Sequence, residues 1–370
     1  MLQKRIQDAI DRMVQDGTET GVQVSVYRHG EPVVEAVAGV ADSATGRPVT
    51  PDTPFYSAST GKGVTATVVH VLVERSLVER SLVERGVLTY DTPIVELWPE
   101  FGAHGKEAAT VRHALTHTVG VPGLPSHVTP EDLCDWHKMC ALIADSEPWW
   151  TPGTRTAYHS HTFGYILGEI VRRATGKPIS QVLHDEIAVP LGVAGELYFG
   201  VPVADQARLA RLETDPEIAE AAAAMRGMFG RVAPPGIIPD SAFGNRADVL
   251  AADIPAGGVL SARAVARMYA ALLDEVGGVR LVSPGRLREI STAAFEGTDE
   301  VMGSPATWAL GYSLGALAPS RPDAFGMPGM GGSAAYADPA TGTVFAVTKN
   351  RFNPMDASAV EEIAGIVAAG

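Results

Sequence analysis

Basic residues are scarce in this 370-residue chain. Lys and Arg number 29 against 43 Asp and Glu, a formal net charge of −14. With that balance and no basic stripe, general attraction to a phosphate backbone or an anionic lipid surface is excluded as a starting point. Cysteine is nearly absent. Cys134 and Cys140 stand six positions apart, a spacing that fits neither a CxxC redox site nor a zinc pair. A bridge within one short helix is sterically disfavoured, so two reduced thiols are expected. Long apolar runs are missing: no stretch reaches about 18 uncharged apolar residues, and no membrane span is expected. The opening MLQKRIQDAIDRMVQDG lacks the form of a signal peptide. Together these features predict a soluble, cytoplasmic protein. A P-loop and a Rossmann fingerprint are also absent. So is the nucleophile elbow G-x-S-x-G, for which Ser57-Ala-Ser59-Thr-Gly61 is only a near miss, and this argues against an α/β-hydrolase.

What is present is a large apolar fraction. Hydrophobic residues make up 46% and charged residues 19%, enough for a sizeable core, which excludes general disorder. The length suggests two domains or one large one. At the N-terminus Leu2, Ile6, Ile10 and Met13/Val14 share a helical face that stops near Gly17. GVQVSVYR (21–28) and VVEAVAGV (33–40) read as an antiparallel hairpin joined by His-Gly-Glu-Pro. Residues 59–75 read as a helix apolar nearly all round, hence buried. Thr129-Pro130-Glu131, Ser261 and Ser283-Pro284 are helix starts, and Gly176 ends a helix around 162–175. Ala334–Asp338 and Thr343–Lys349 read as strands, with a terminal helix from about Asp356. Sheet at both ends with helices between predicts a mixed α/β domain from 1–75 and 245–370, and a mainly helical domain at 86–244.

Between them lies LVERS-LVERS-LVERG, Leu72 to Gly86. Five residues turn a helix by about 500°, so each Leu-Val pair lies about 140° from the last and no single apolar stripe forms. Residues 76–85 are expected to protrude as extra helix or a looped excursion. Leu77, Val78, Leu82 and Val83 could then bury against a second copy of the chain, giving a homodimer.

Three segments could carry chemistry. Ser59-Thr-Gly-Lys62 at a helix start puts serine and lysine on one face, one turn apart. In a buried site the lysine amine can be neutral and accept the serine proton, while the helix N-terminus favours charge developing beside the serine. Tyr158-His159-Ser160 offers a phenol that could share that proton; a lysine cation nearby would favour the phenolate. In Gly326-Met327-Pro328-Gly329-Met330-Gly-Gly-Ser333 the glycines allow close backbone approach, and an edge-strand N–H can serve as an oxyanion donor. Pro328 implies that this strand's outer edge faces a cleft. His159 and His161 could line a pocket, and Trp149-Trp150 could form its wall or a buried anchor. His113 and His117 have i, i+4 spacing but lack the HExxH glutamate and an evident third ligand, so no metal is expected.

These motifs, with Trp98-Pro-Glu-Phe101, Leu115-Thr-His-Thr-Val-Gly120, Trp150-Thr-Pro-Gly153 and Ala256-Gly-Gly-Val-Leu-Ser261, resemble the class C β-lactamase-like serine hydrolases from about residue 18 to 365. That family includes family VIII carboxylesterases, penicillin-binding-protein-like D-peptidases and some acyltransferases. The resemblance implies a β-lactamase/transpeptidase-like fold, an antiparallel sheet flanked by helices with an inserted helical domain. It also implies a nucleophilic Ser59, Lys62 and Tyr158 as the proton-transfer pair, and an oxyanion hole from the N–H groups of Ser59 and Met330. Ser160 stands where the family often has asparagine, and Met327 where it has lysine or histidine. Ser160, Met327, Gly329, His159 and Trp150 are the expected substrate contacts. The expected activity is hydrolysis of small uncharged esters through an acyl-enzyme, without metal or cofactor. Acyl transfer through the same intermediate, weak β-lactamase or D-peptidase action, and a non-catalytic binding protein are the alternatives.

Overall fold

Apolar residues at helical spacing near the N-terminus find their partner at the far end of the chain. The helix Leu2–Gln15 buries Ile6, Ala9, Ile10 and Met13 in one cluster with Val22, Val24 and Val26 and with Val360 and Ile363 of the helix Ser358–Ala368. Each of the Ile, Val and Met side chains contributes about 2 kcal/mol by leaving water. This computed structural model describes residues 1–78, 88–215, 217, 218, 220, 230–315, 321, 323–354 and 356–370.

The strands are β1 (Gly21–Arg28), β2 (Glu31–Asp42), β3 (Arg47–Pro48), β4 (Phe55–Tyr56), β5 (Leu197–Tyr198) and β6 (Val259–Leu260). The later ones are β7 (Phe295–Thr298), β8 (Pro305–Trp308), β9 (Ser313–Leu314), β10 (Phe325–Pro328), β11 (Ala334–Asp338) and β12 (Thr343–Lys349). Nine form one antiparallel sheet in the order β3-β2-β1-β12-β11-β10-β9-β8-β7; β4-β6-β5 form a second. The antiparallel sheet flanked by helices expected from the sequence is therefore present. Strand β1 sits centrally because both its faces are buried, and its Val22↔Lys349 register joins the two ends of the chain. The hairpin turn is shorter than expected. His29 (φ +48°) and Gly30 (φ +80°) turn the chain alone, and Glu31 already pairs with Arg28. A two-residue turn with both φ positive matches strand twist, so Glu31 and Pro32 join the strand.

Helix signals are realised where the cap is local. Ser261 and Ser283 accept N–H bonds from Ala264 and Arg286, and Gly176 ends Thr162–Thr175 with φ +74°. Thr129 caps only a four-residue helix, Pro130–Leu133, before a second begins at Trp136. Cys134 thus caps the end of the first helix and Cys140 lies within the second, and both thiols are free. Among the described residues no helix is long and apolar enough to cross a membrane.

The helix Gly61–Val78 is buried from Gly61 to Val73, as its all-round apolarity predicts, while Glu74 and Arg75 are partly exposed. Ser76 is buried and donates to the Leu88 carbonyl at 3.0 Å. The repeat beyond Val78, and with it the side chains on which a dimer contact would depend, lies outside the described residues. Gly61 touches the Gly257–Gly258 backbone so closely that an added Cβ would fall 2.1 Å from the Gly257 carbonyl. Gly61→Ala should therefore cost about 1–3 kcal/mol by overpacking. Thermal melting reads this; an unchanged midpoint would mean the contact yields freely.

Candidate active site

Two short elements set Ser59 in place. Strand β4 pairs with β6, and the Ser57 N–H donates to the Gly258 carbonyl at 2.8 Å. The chain then turns through Ala58–Thr60 into the helix Gly61–Val78. Ala58 has φ +42°, a left-handed conformation that costs a non-glycine residue about 1–3 kcal/mol and persists only when its surroundings hold it. Ser59 is half-buried on this turn. Lys62, 1% exposed, lies one turn along, and its Nζ donates to Ser59 Oγ at 3.0 Å and to the Ala256 carbonyl at 2.7 Å. Burial alone lowers the Lys62 ammonium from 10.5 to about 7, and no carboxylate among the described residues pairs with it to restore its charge.

Tyr158 sits just ahead of the helix Thr162–Thr175. Its ring lies 5.0 Å from Lys62 Nζ and stacks on Trp308 with centroids 6.0 Å apart. Burial pushes the phenol above its usual range, and a hydrogen bond to Ser59 opposes this only in part. The balance thus differs from the sequence expectation of a phenolate beside a lysine cation. Burial disfavours both charged forms, leaving a protonated tyrosine beside a lysine that is largely uncharged above neutral pH.

The third motif packs on the serine turn. A Cβ on Gly329 would meet the Ser57 carbonyl at 2.2 Å, and Thr60 Oγ1 donates to the Ser333 carbonyl at 3.1 Å. Strand β10 pairs with β9 only at Phe325 and Gly326, so its outer edge is open from Met327 onward, where Pro328 is exposed. Neither the Ser59 N–H nor the Met330 N–H is bonded to another described residue. Both residues line the same cleft of about 400 Å³. Two unspent donors on adjoining turns can serve a developing oxyanion.

Ser59, Tyr158, Ser160 and Met330 meet in this cleft. Other expected contacts do not. His159 is 1% exposed; its Nδ1–H donates to the Ala157 carbonyl, and its Nε2 accepts the Val121 N–H at 3.1 Å. Trp150 is buried and donates to the Thr118 carbonyl at 3.0 Å, so it is an anchor rather than a wall. Met327, 2% exposed, points into the core beside Gly63 because alternate residues of a strand face opposite sides. Gly329 acts through its packing on Ser57. His161 is also buried and donates to the Ile237 carbonyl. His113 accepts the Thr110 N–H and His117 accepts the His159 N–H, each through Nδ1. No metal-binding cluster occurs among the described residues.

Residues without any signature in the sequence make most of the wall. They include Val232, Ile238, Val301, Met302, Trp308 and Leu314, with Asp299 beside Tyr158. Only their burial pattern in a folded chain marks them, since they come from loops and short strands far from the three motifs.

Known proteins resemble this chain in sequence and fold. The family model described as Beta-lactamase matches residues 6–369. Esterase/beta-lactamase LipL of Mycobacterium tuberculosis is 36% identical over 353 residues, 90% of this chain and 77% of the relative. Esterase EstB of Burkholderia gladioli is 29% identical over 283 residues, 68% of this chain and 69% of the relative. A solved family VIII carboxylesterase superposes with a TM-score of 0.85 at 31% identity, covering 98% of this chain and 97% of the other. With the family model spanning nearly its whole length and this fold around the Ser59–Lys62 turn, the chain belongs to the Beta-lactamase family.

Proposed function

We propose that this protein is a serine carboxylesterase acting on small uncharged esters through an acyl-enzyme. The observation that carries the reading is the 3.0 Å contact between Ser59 Oγ and a buried Lys62 amine whose proton affinity is lowered to about 7. Neutral Lys62 accepts the hydroxyl proton as Ser59 Oγ bonds to the ester carbonyl carbon. The oxyanion lies against the Ser59 and Met330 N–H groups. Collapse breaks the bond to the alcohol, which takes the proton from Lys62 through the Tyr158 hydroxyl. Water then attacks the acyl-enzyme with the same groups in reverse, releasing the acid and free Ser59.

The preference for uncharged esters rests on the cleft wall. None of its described lining residues is Lys, Arg or His, and Met327 is turned into the core. A substrate carboxylate would lie there unpaired, at a cost of about 3–5 kcal/mol if fully desolvated, equivalent to about 10²–10⁴-fold in kcat/KM. The test is a panel of p-nitrophenyl esters of increasing chain length run beside a chromogenic cephalosporin. Short esters should be turned over with kcat/KM at least about 10²-fold above the cephalosporin, by the same penalty. Equal values would overturn the preference. The LipL name pairs the two activities, so the comparison is a direct one. The free thiols of Cys134 and Cys140 support a reducing, cytoplasmic setting.

A further inference from the structure

The hairpin β7–β8 ends the large sheet, yet residues at its tip bond to the tyrosine segment. Asp299 follows β7 directly and is 4% exposed. Its Oδ2 accepts the Tyr158 N–H at 2.7 Å, and its Oδ1 accepts the N–H groups of Val301 and Met302, each at 2.8 Å. The main chain adds a parallel bridge, Thr156 to Asp299, with the Glu300 N–H donating to the Thr156 carbonyl at 2.9 Å. From β8, Trp308 Nε1–H donates to Thr156 Oγ1 at 3.1 Å while its ring stacks on Tyr158. On the other side, the Thr156 hydroxyl donates to the His117 carbonyl at 3.2 Å. Val301 and Met302 line the cleft, so one carboxylate joins the substrate wall to the backbone of Tyr158.

We infer that Asp299 is a positioning residue for the reaction: it holds the Tyr158 hydroxyl in line with Ser59 and ties that placement to the Val301–Met302 wall. This rests on the proton-transfer reading of Tyr158 above. A carboxylate is needed because three N–H donors converge on it from two sides, and a carboxylate offers only acceptors. An amide of the same shape has one accepting oxygen, so Asn must set its NH₂ against a backbone N–H on one side. The Tyr158 hydroxyl is at the far end of its side chain, where a small backbone rotation produces the largest displacement. A shift of about 1 Å in a reacting group costs up to about 10²-fold in rate.

The experiment is a double-mutant cycle on p-nitrophenyl butyrate with Asp299→Asn, Tyr158→Phe and both together. Asp299→Asn should lower kcat about 10–100-fold, with KM within about threefold, because placement rather than binding is lost. In the Tyr158→Phe background it should cost no more than about twofold, since residues acting as one unit are not additive. An equal loss in both backgrounds would make Asp299 merely structural and overturn the inference, as would full activity of Asp299→Asn. Undiminished turnover by Tyr158→Phe alone would overturn the reading of Tyr158 and this inference with it. If Asp299→Asn does not fold, Asp299→Ser replaces the carboxylate by a shorter hydroxyl that cannot span both sides and whose O–H can turn away from the backbone donors, and it passes through the same cycle under the same criteria.

Discussion

Ser59→Ala should abolish ester turnover, by about 10⁴-fold or more, and leave the melting temperature nearly unchanged. The size of the loss follows from the nucleophile's place in a unit whose members fail together. The intact fold follows from what holds the turn. Ser57 bonds Gly258, β4 pairs with β6, and Gly329 packs on the Ser57 carbonyl; none of these uses the Ser59 side chain. Lys62 would lose one partner but keep the Ala256 carbonyl at 2.7 Å. The strained Ala58 would be unaffected. A fluorophosphonate probe should label the parent protein and not the variant. Should Ser59→Ala retain more than a few per cent of activity on every ester tried, another residue is the nucleophile.

Lys62→Met should lower kcat by about 10³-fold or more, since general-base transfer to a positioned group contributes roughly 10²–10⁴-fold. The parent enzyme's kcat/KM should rise with pH through about 7, because only the unprotonated amine can accept the serine proton. A flat profile between pH 5.5 and 8.5 would show that Lys62 is not the base. The same burial has a consequence for stability. The unfolded chain binds the lysine proton up to about pH 10.5 and the folded chain only below about 7, so the unfolded state holds more protons between those values. Stability from this group therefore rises with pH across that window, and its penalty is fully present below about pH 7. Lys62→Met removes the penalty. At pH 7 the variant should be inactive and melt no lower than the parent, with a flatter rise in stability from pH 7 to 10.5. A much lower melting temperature would mean that the bond to the Ala256 carbonyl outweighs desolvation.

The legible parts of this protein are those decided within a few residues. A capping hydroxyl at Ser261 or Ser283, a left-handed Gly176 and the short strand-like runs of β11 and β12 act on their immediate neighbours, so the elements appear where the pattern puts them. The S-x-x-K spacing is equally local: one helical turn brings Lys62 to Ser59 wherever the helix is placed. The three motifs and their order were therefore readable, and so was the family they resemble.

Other properties depend on groups distant in the chain. Lys62 is a usable base because it is buried against Ala256, a partner 194 residues away, which no spacing rule contains. Met327 faces the core and His159 and Trp150 serve the scaffold because their polar or apolar needs are met by neighbours such as Gly63, Val121 and Thr118. The cleft wall comes from segments at 232–239 and 299–314 that carry no motif, because an apolar residue reads alike whether it faces a core or a substrate. The sequence by itself determined the helix and strand signals and the pairing of serine with lysine, since these depend on backbone geometry over one or two turns. Only the tertiary structure decided which side chains face the substrate and which proton affinities are shifted, since desolvation and packing are set by atoms that the folded chain brings together.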